Sequence, residues 1–263
     1  MRKHSVVARP GHLAPGTIRR VTGPIWRIAL VAAAVLAGEP SHASDFFGPE
    51  TSTSWQPEVD AYFRLADGLR IQAQVQPYLV PAQQVTQVSF GVYGAWYVAS
   101  ILRDILSPDE AKRHAVDMRV GILYNATFDP GTAGPGNVWT LQVELTPRYS
   151  LPLELVVSVR NRISFNWATD GASGFYFRYR GRLQLEREFD VAKVPVTPFV
   201  NVEFFWQQPP AMWTQFRMQG GLQVGFDAFA RGQTVELNYS AITSLQPSRS
   251  WSSQIGLILS SYF

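Results

Sequence analysis

Residues 176–189, YFRYRGRLQLEREF, set Arg178, Arg180 and Arg182 on alternate positions and continue the same phase with Glu186 and Glu188. In a β-strand alternate side chains share one face about 7 Å apart, so three guanidiniums placed there repel one another unless carboxylates or water lie among them. The opposite phase, Phe175, Phe177, Tyr179, Leu183 and Leu185, is apolar enough to face lipid. A strand with one greasy and one charged face fits the wall of a membrane barrel, with its charge inside, or a soluble sandwich, with its apolar face in the core. The rest of the chain separates the two.

The same period of two recurs along the sequence. From Leu69 to Val80 the odd positions are Leu69, Ile71, Ala73, Val75, Pro77 and Leu79, while Gln72, Gln74 and Gln76 take even ones. Further alternating segments cover 59–65, 88–98, 116–128, 139–147, 153–167, 175–189, 196–206, 216–226, 235–239 and 251–263, eleven candidate strands in all. Long Gly, Pro and Ser-rich links (128–137, 168–174, 207–213, 241–250) alternate with short ones (150–152, 190–195, 227–232). Long loops on one side, short turns on the other and apolar outer faces are the layout of an up-and-down antiparallel transmembrane β-barrel. Bacterial single-chain barrels use even strand numbers, so the expectation is twelve strands, the twelfth poorly marked between Ser44 and Trp55, with ten as the alternative. One segment departs from strand pattern: 101–114 contains Ser107-Pro108-Asp109-Glu110, a capping-box spacing that predicts a short helix between the third and fourth strands, on the periplasmic side.

Before the first strand, Arg19, Arg20 and Arg27 precede the apolar run 28–38, and Ser41-His42-Ala43 offers small residues to a signal peptidase. The expectation is a cleaved signal peptide over residues 1–43 and a single barrel domain over 44–263. Removing the leader takes six of the 23 Lys and Arg and one of the 20 Asp and Glu, so the mature chain is slightly acidic and its composition does not point to nucleic acid. With no cysteine there is neither disulfide nor thiolate metal site, and no cofactor is expected. Barrel enzymes that cleave lipids or peptides need a positioned base beside a nucleophile or water. The mature chain keeps only His114, next to the expected helix and with no serine within two residues, so the residues do not point to an enzyme.

With Phe263 ending the last strand in the periplasm, threading backwards puts Trp139, Trp167, Trp206, Trp213 and Trp251 near the outer ends of their strands, as an aromatic girdle would be. Hairpin threading sets Arg160 near Arg182, Arg162 near Arg180, Glu203 opposite Arg182, and Arg217 on the other side of Glu203. The same threading puts Arg148 near Glu154 and Arg119 near Glu144. The expected luminal charge network is therefore Arg160, Arg162, Arg178, Arg180, Arg182, Glu186, Glu203 and Arg217.

The C-terminal IGLILSSYF, with Leu257, Leu259 and Phe263 in one phase, resembles the signal by which barrels are recognised for outer-membrane insertion; Ser261 departs from it where an aromatic is usual. Together with RNRISF, FRYRGRLQLEREF, VTPFVNVEFFW, QFRMQGGLQVGF and VELNY, taken in that order, it resembles the outer-membrane family catalogued as domain of unknown function 2490, over residues 57–263. The chain ends its Glu strand in EFFWQQPP, where relatives often carry Tyr-Asp. The resemblance implies a Gram-negative outer-membrane barrel and supplies no activity. The expected partners are outer-membrane lipid, lipopolysaccharide and the barrel-assembly machinery. Three functions follow: a largely filled barrel with a structural Arg/Glu interior; a narrow, weakly anion-selective channel for small solutes; and, third, a lipid-modifying enzyme.

Overall fold

A computed structural model describes residues 52–80, 84–100, 110–127, 137–169, 174–209, 211–226, 232–245 and 250–263. The expected leader and its cleavage position lie outside the described residues, as do 101–109 of the expected helix. What is described of that helix is one 3-10 turn, Glu110–Arg113, running straight into a strand at His114.

The alternating segments form strands β1 (Ser52–Ala66), β2 (Leu69–Val80), β3 (Gln84–Ser100), β4 (His114–Thr127), β5 (Val138–Ser150), β6 (Leu155–Ala168), β7 (Phe175–Arg187), β8 (Phe189–Val191), β9 (Val194–Gln208), β10 (Met212–Phe226), β11 (Gln233–Ser244) and β12 (Trp251–Tyr262). They make one sheet, closed by pairing of β12 with β1. Closure removes every long unpaired edge, which is what lets an apolar outer face stand without aggregating strand to strand.

All twelve strands belong to the sheet, but the wall has eleven positions. β7 pairs with β9 from Phe177↔Gln208 to Glu186↔Phe199, the ladder breaks at Glu188, and β8 continues along the same edge from Phe189↔Val196 to Val191↔Val194. The extra strand is thus a three-residue extension of β7; of the stretch between Ser44 and Trp55 expected to supply it, residues 44–51 lie outside the described residues and Ser52 to Trp55 belong to β1, which runs on to Ala66. An odd wall sends its first and last strands in the same direction. The β1–β12 seam is accordingly parallel, from Ser52↔Ser252 to Tyr62↔Tyr262, while every other pair is antiparallel. Across the foot of the seam Tyr62 stacks on Tyr262 with centroids 4.7 Å apart, Phe63 stacks on Phe263 at 5.4 Å, and the Phe263 amide donates to the Tyr62 carbonyl at 2.8 Å.

Period-two pleating sorts the side chains. Val92, Ile122, Leu183, Val200 and Leu237 point outward, each half or more exposed, whereas the buried set inside is largely polar: Asp60, Gln72, Asp117, Gln142, Glu144, Asn201, Glu203 and Asn238 among them. This inverts the arrangement of a water-soluble fold, in which buried positions are chiefly apolar.

Close packing inside leaves room at some wall positions only for glycine. A Cβ on inward-facing Gly221 would come within 2.5 Å of the Phe199 ring and 2.8 Å of the Leu237 carbonyl, and backbone cannot swing aside. Its neighbour Gly220 points outward with nothing nearer than 3.9 Å. Gly221→Val is expected to lower stability by about 1–3 kcal/mol through overpacking, while Gly220→Val stays near wild type; urea unfolding of refolded protein followed by tryptophan fluorescence measures both.

Candidate functional site

The register brings the arginines together as hairpin threading expects. Arg160 faces Arg182 and Arg162 faces Arg180 across β6–β7. Arg182 faces Glu203 across β7–β9, and Glu203 faces Arg217 across β9–β10. Glu203, 1% exposed, accepts from Arg160 at 3.0 Å and Arg180 at 2.9 Å and lies 3.7 Å from Arg217. One strand pair away, Glu144 accepts from Arg162 at 2.7 Å and sits 3.9 Å from Arg160 and 4.0 Å from Arg119. Asp117 completes the series with Arg119 at 2.7 Å and Arg148 at 3.7 Å. Charges alternate continuously from Arg148 on β5 through Asp117, Arg119, Glu144, Arg160 and Glu203 to Arg217 on β10. A buried charge is tolerated only when paired in this way, and shared carboxylates let few acids serve many guanidiniums.

Not every expected member joins. Arg182 makes no ion pair or hydrogen bond among the described residues, and its Nε is buried without an acceptor. Arg178 donates to the Gln207 side-chain oxygen at 3.1 Å and has no carboxylate partner among the described residues. Glu186 stands apart from the arginine patch: Gln184 donates to it at 2.6 Å and Lys112 lies 3.8 Å away. The expected proximity of Arg148 and Glu154 is not formed. Leu153 and Glu154 adopt left-handed backbone, φ 66° and 59°, and this turns Glu154 out to an exposed pairing with Arg187 at 3.6 Å, leaving Arg148 to Asp117.

Sequence reading missed Asp117 and Phe205. Asp117 is fully buried and shares the phase of Arg119, a signal that was present in the VDMRV segment. Phe205 is 5% exposed and shares the phase of Glu203. The Arg180 and Arg217 guanidiniums lie over its ring at 4.6 Å and 5.3 Å, so it holds their planes in place.

Two cavities flank the network. An upper one of about 560 Å³ extends from Thr127, Val138 and Tyr176 at the strand ends down past Arg162, Arg178, Arg180 and Arg217. A lower one of about 170 Å³ is lined by Asp60, Arg119, Glu144, Arg148 and Glu186. Arg160, Arg182, Glu236 and Ile258 line both, forming a collar at mid-barrel. Glu236 and Glu58 flank Ile258 in one cross-strand row on the wall facing the arginines. Asn238 donates to Glu236 at 2.9 Å and Gln76 donates to Glu58.

The five tryptophans expected in the girdle gather at the end from which the upper cavity starts, while Trp96 pairs with Leu69 at the other. Trp139 pairs directly with Trp167, Trp206 with Trp213, and Trp251 with Thr243. Four of the five are roughly half exposed, Trp206 less so. At the opposite end Leu257 and Leu259 lie half-buried on the outer face, and Ser261 accepts from Gln233 at 3.3 Å. His114 opens β4 opposite Ser100, its ring stacked on Tyr97 at 5.3 Å.

Compared with protein-family models, curated proteins and solved structures, the chain matches none.

Proposed function

We propose that the protein is an outer-membrane barrel whose lumen is filled and shut by its own charge network, and that it acts as a structural element of the membrane rather than as an open pore. The observation that carries this reading is the collar: Arg160, Arg182, Glu236 and Ile258 line both cavities and stand between them, and the ion-pair chain runs through Arg160. The membrane setting is supported by the outward face, where apolar side chains are exposed on strand after strand, far beyond the few hundred Å² a soluble monomer leaves open. Strands of 12–17 residues around the wall exceed the 9–11 or so a tilted strand needs to cross a bilayer. The signal-like leader, the Leu257, Leu259 and Phe263 terminus and the likeness to domain of unknown function 2490 agree with export and insertion by the barrel-assembly machinery.

In this setting Trp139, Trp167, Trp213 and Trp251 lie at the lipid headgroup level on the outer side, in contact with lipopolysaccharide. Refolded into bilayers, the protein is expected to show strong tryptophan quenching by lipids brominated near the headgroup and weaker quenching by lipids brominated at chain ends. Equal quenching by both, or none, contradicts the placement.

A narrow anion-selective channel is the second reading, favoured by the arginine-rich upper cavity. It requires the collar to part. A lipid-modifying enzyme is the third; it would rest on His114, and acyl release by purified protein that vanishes in His114→Ala would establish it.

A further inference from the structure

We propose that the upper cavity is a binding site for a small, multiply charged oxyanion of the phosphate class, seated against Arg178, Arg180 and Arg182.

The first argument is an imbalance of charge. Six arginines line this cavity, and on their wall Glu203 alone among the lining residues answers them; Glu144 behind it serves Arg160 and Arg162. The other lining carboxylates, Glu58 and Glu236, are on the facing wall and are engaged by the amides of Gln76 and Asn238. The second is an excess of donors. The Nε atoms of Arg180, Arg182 and Arg217 are all buried without an acceptor, and Arg182 makes no pairing at all among the described residues. A buried donor left unmet is costly, more so when charged, so several along one cavity mark a place where an acceptor stabilises the fold.

The third argument is orientation. Arg180 lies over Phe205 and Arg178 is tied to Gln207, so their forks are held in position before any ligand arrives. Planar forks favour a tetrahedral or planar oxyanion, whose two oxygens take paired N–H bonds, over a halide, which offers a single acceptor atom. The carboxylates on the facing wall keep the anion on the β7 side. A cavity of about 560 Å³ leaves room for more than the phosphate group itself. Free phosphate and the phosphate of a lipid headgroup share this chemistry.

The test uses the full mature chain refolded in non-ionic detergent, titrated calorimetrically with sodium phosphate against sodium chloride of equal ionic strength. Saturable phosphate binding is expected, weakened at least tenfold in Arg182→Gln and in Arg178→Gln. Arg178 has no ion pair among the described residues and, unlike Arg182, no buried unmet donor, so Arg178→Gln folds even where Arg182→Gln fails. No saturable heat with wild type, or unchanged affinity in both variants, overturns the proposal. A second arm adds dihexanoyl phosphatidic acid: competition with phosphate supports a headgroup ligand, and phosphate binding without competition supports a free anion. Binding here needs no conducting pore, so a conducting wild type would remove the closed-lumen reading and leave this site standing, while absent binding would do the reverse.

Discussion

Glu203→Ala is expected to be the most damaging single substitution inside the barrel. The carboxylate accepts from Arg160 and Arg180 at 3.0 and 2.9 Å, faces Arg182 in register and lies 3.7 Å from Arg217, almost wholly out of solvent. Its removal takes the paired carboxylate from Arg180 and Arg217 and leaves Arg160 with Glu144 alone at 3.9 Å, and deleting one partner of a buried ion pair costs about 3–5 kcal/mol. The urea midpoint of refolded protein should fall accordingly, and the folded band that migrates fast in unheated gels should be depleted. Glu203→Gln is expected to lose less, because its amide oxygen still accepts. Arg217→Ala should cost less again, since its contact is the longest of the three and Glu203 keeps two closer partners. The double variant Glu203→Ala/Arg217→Ala should fall short of the sum by at least about 0.5 kcal/mol, the coupling of residues in one network. Strict additivity would show that the two do not share an ion pair.

Removing Tyr262 and Phe263 is expected to have the second largest effect, acting on closure instead of on charge. Every antiparallel pair gains from a direct or nearby turn, but the β1–β12 seam joins the two chain ends and must close over the full contour of the barrel. Loop-closure entropy of that length is paid before the seam contacts form. At its foot stand the Tyr62–Tyr262 and Phe63–Phe263 stacks and the reciprocal backbone bonds, Arg64 amide to Phe263 carbonyl at 3.1 Å and Phe263 amide to Tyr62 carbonyl at 2.8 Å. Each stack contributes about 0.5–1.5 kcal/mol beyond burial, and each hydrogen bond a similar amount. The truncated chain should refold in low yield and expose β1 and β12 to proteolysis first. Phe263→Leu, which keeps the backbone bonds and some of the contact, should recover most of the folded fraction. A truncated chain that refolds as well as wild type would mean that the seam is held elsewhere.

The strands were legible because period two leaves a trace in every one of them, and the arginine face was legible because a one-residue slip would turn the arginines out and the apolar phase in. What the pattern could not show was where a ladder breaks. Glu188 continues the polar phase of β7 in the sequence, yet the ladder stops at Arg187. Ala192 and Lys193 then turn the chain at φ 54° and 69° without the Gly or Asn that usually marks such a turn, steadied by the Lys193 amide donating to Asp190 at 2.6 Å. The odd wall and its parallel seam do not depend on that break: eleven alternating segments stand in the sequence, and only the even strand numbers of bacterial barrels raised the expectation to twelve. Arg148 and Glu154 were misjudged for the same reason: two non-glycine residues in left-handed conformation redirect a side chain that a simple hairpin would have aimed inward. In the candidate site the missed members were of another kind. Phe205 shares the phase of Glu203, which places it inside, but period two alone does not show that two guanidiniums from neighbouring strands lie over its ring.

The most direct test of a lumen shut at mid-barrel is single-channel recording of the refolded wild type in planar bilayers, beside the collar variant Arg160→Ser/Arg182→Ser. The wild type should give no stable conductance steps, while the variant, with two collar arginines cut back, should give discrete openings. Stable, anion-selective steps from the wild type itself, altered in selectivity by Arg180→Gln, would contradict the closed lumen and establish the channel in its place.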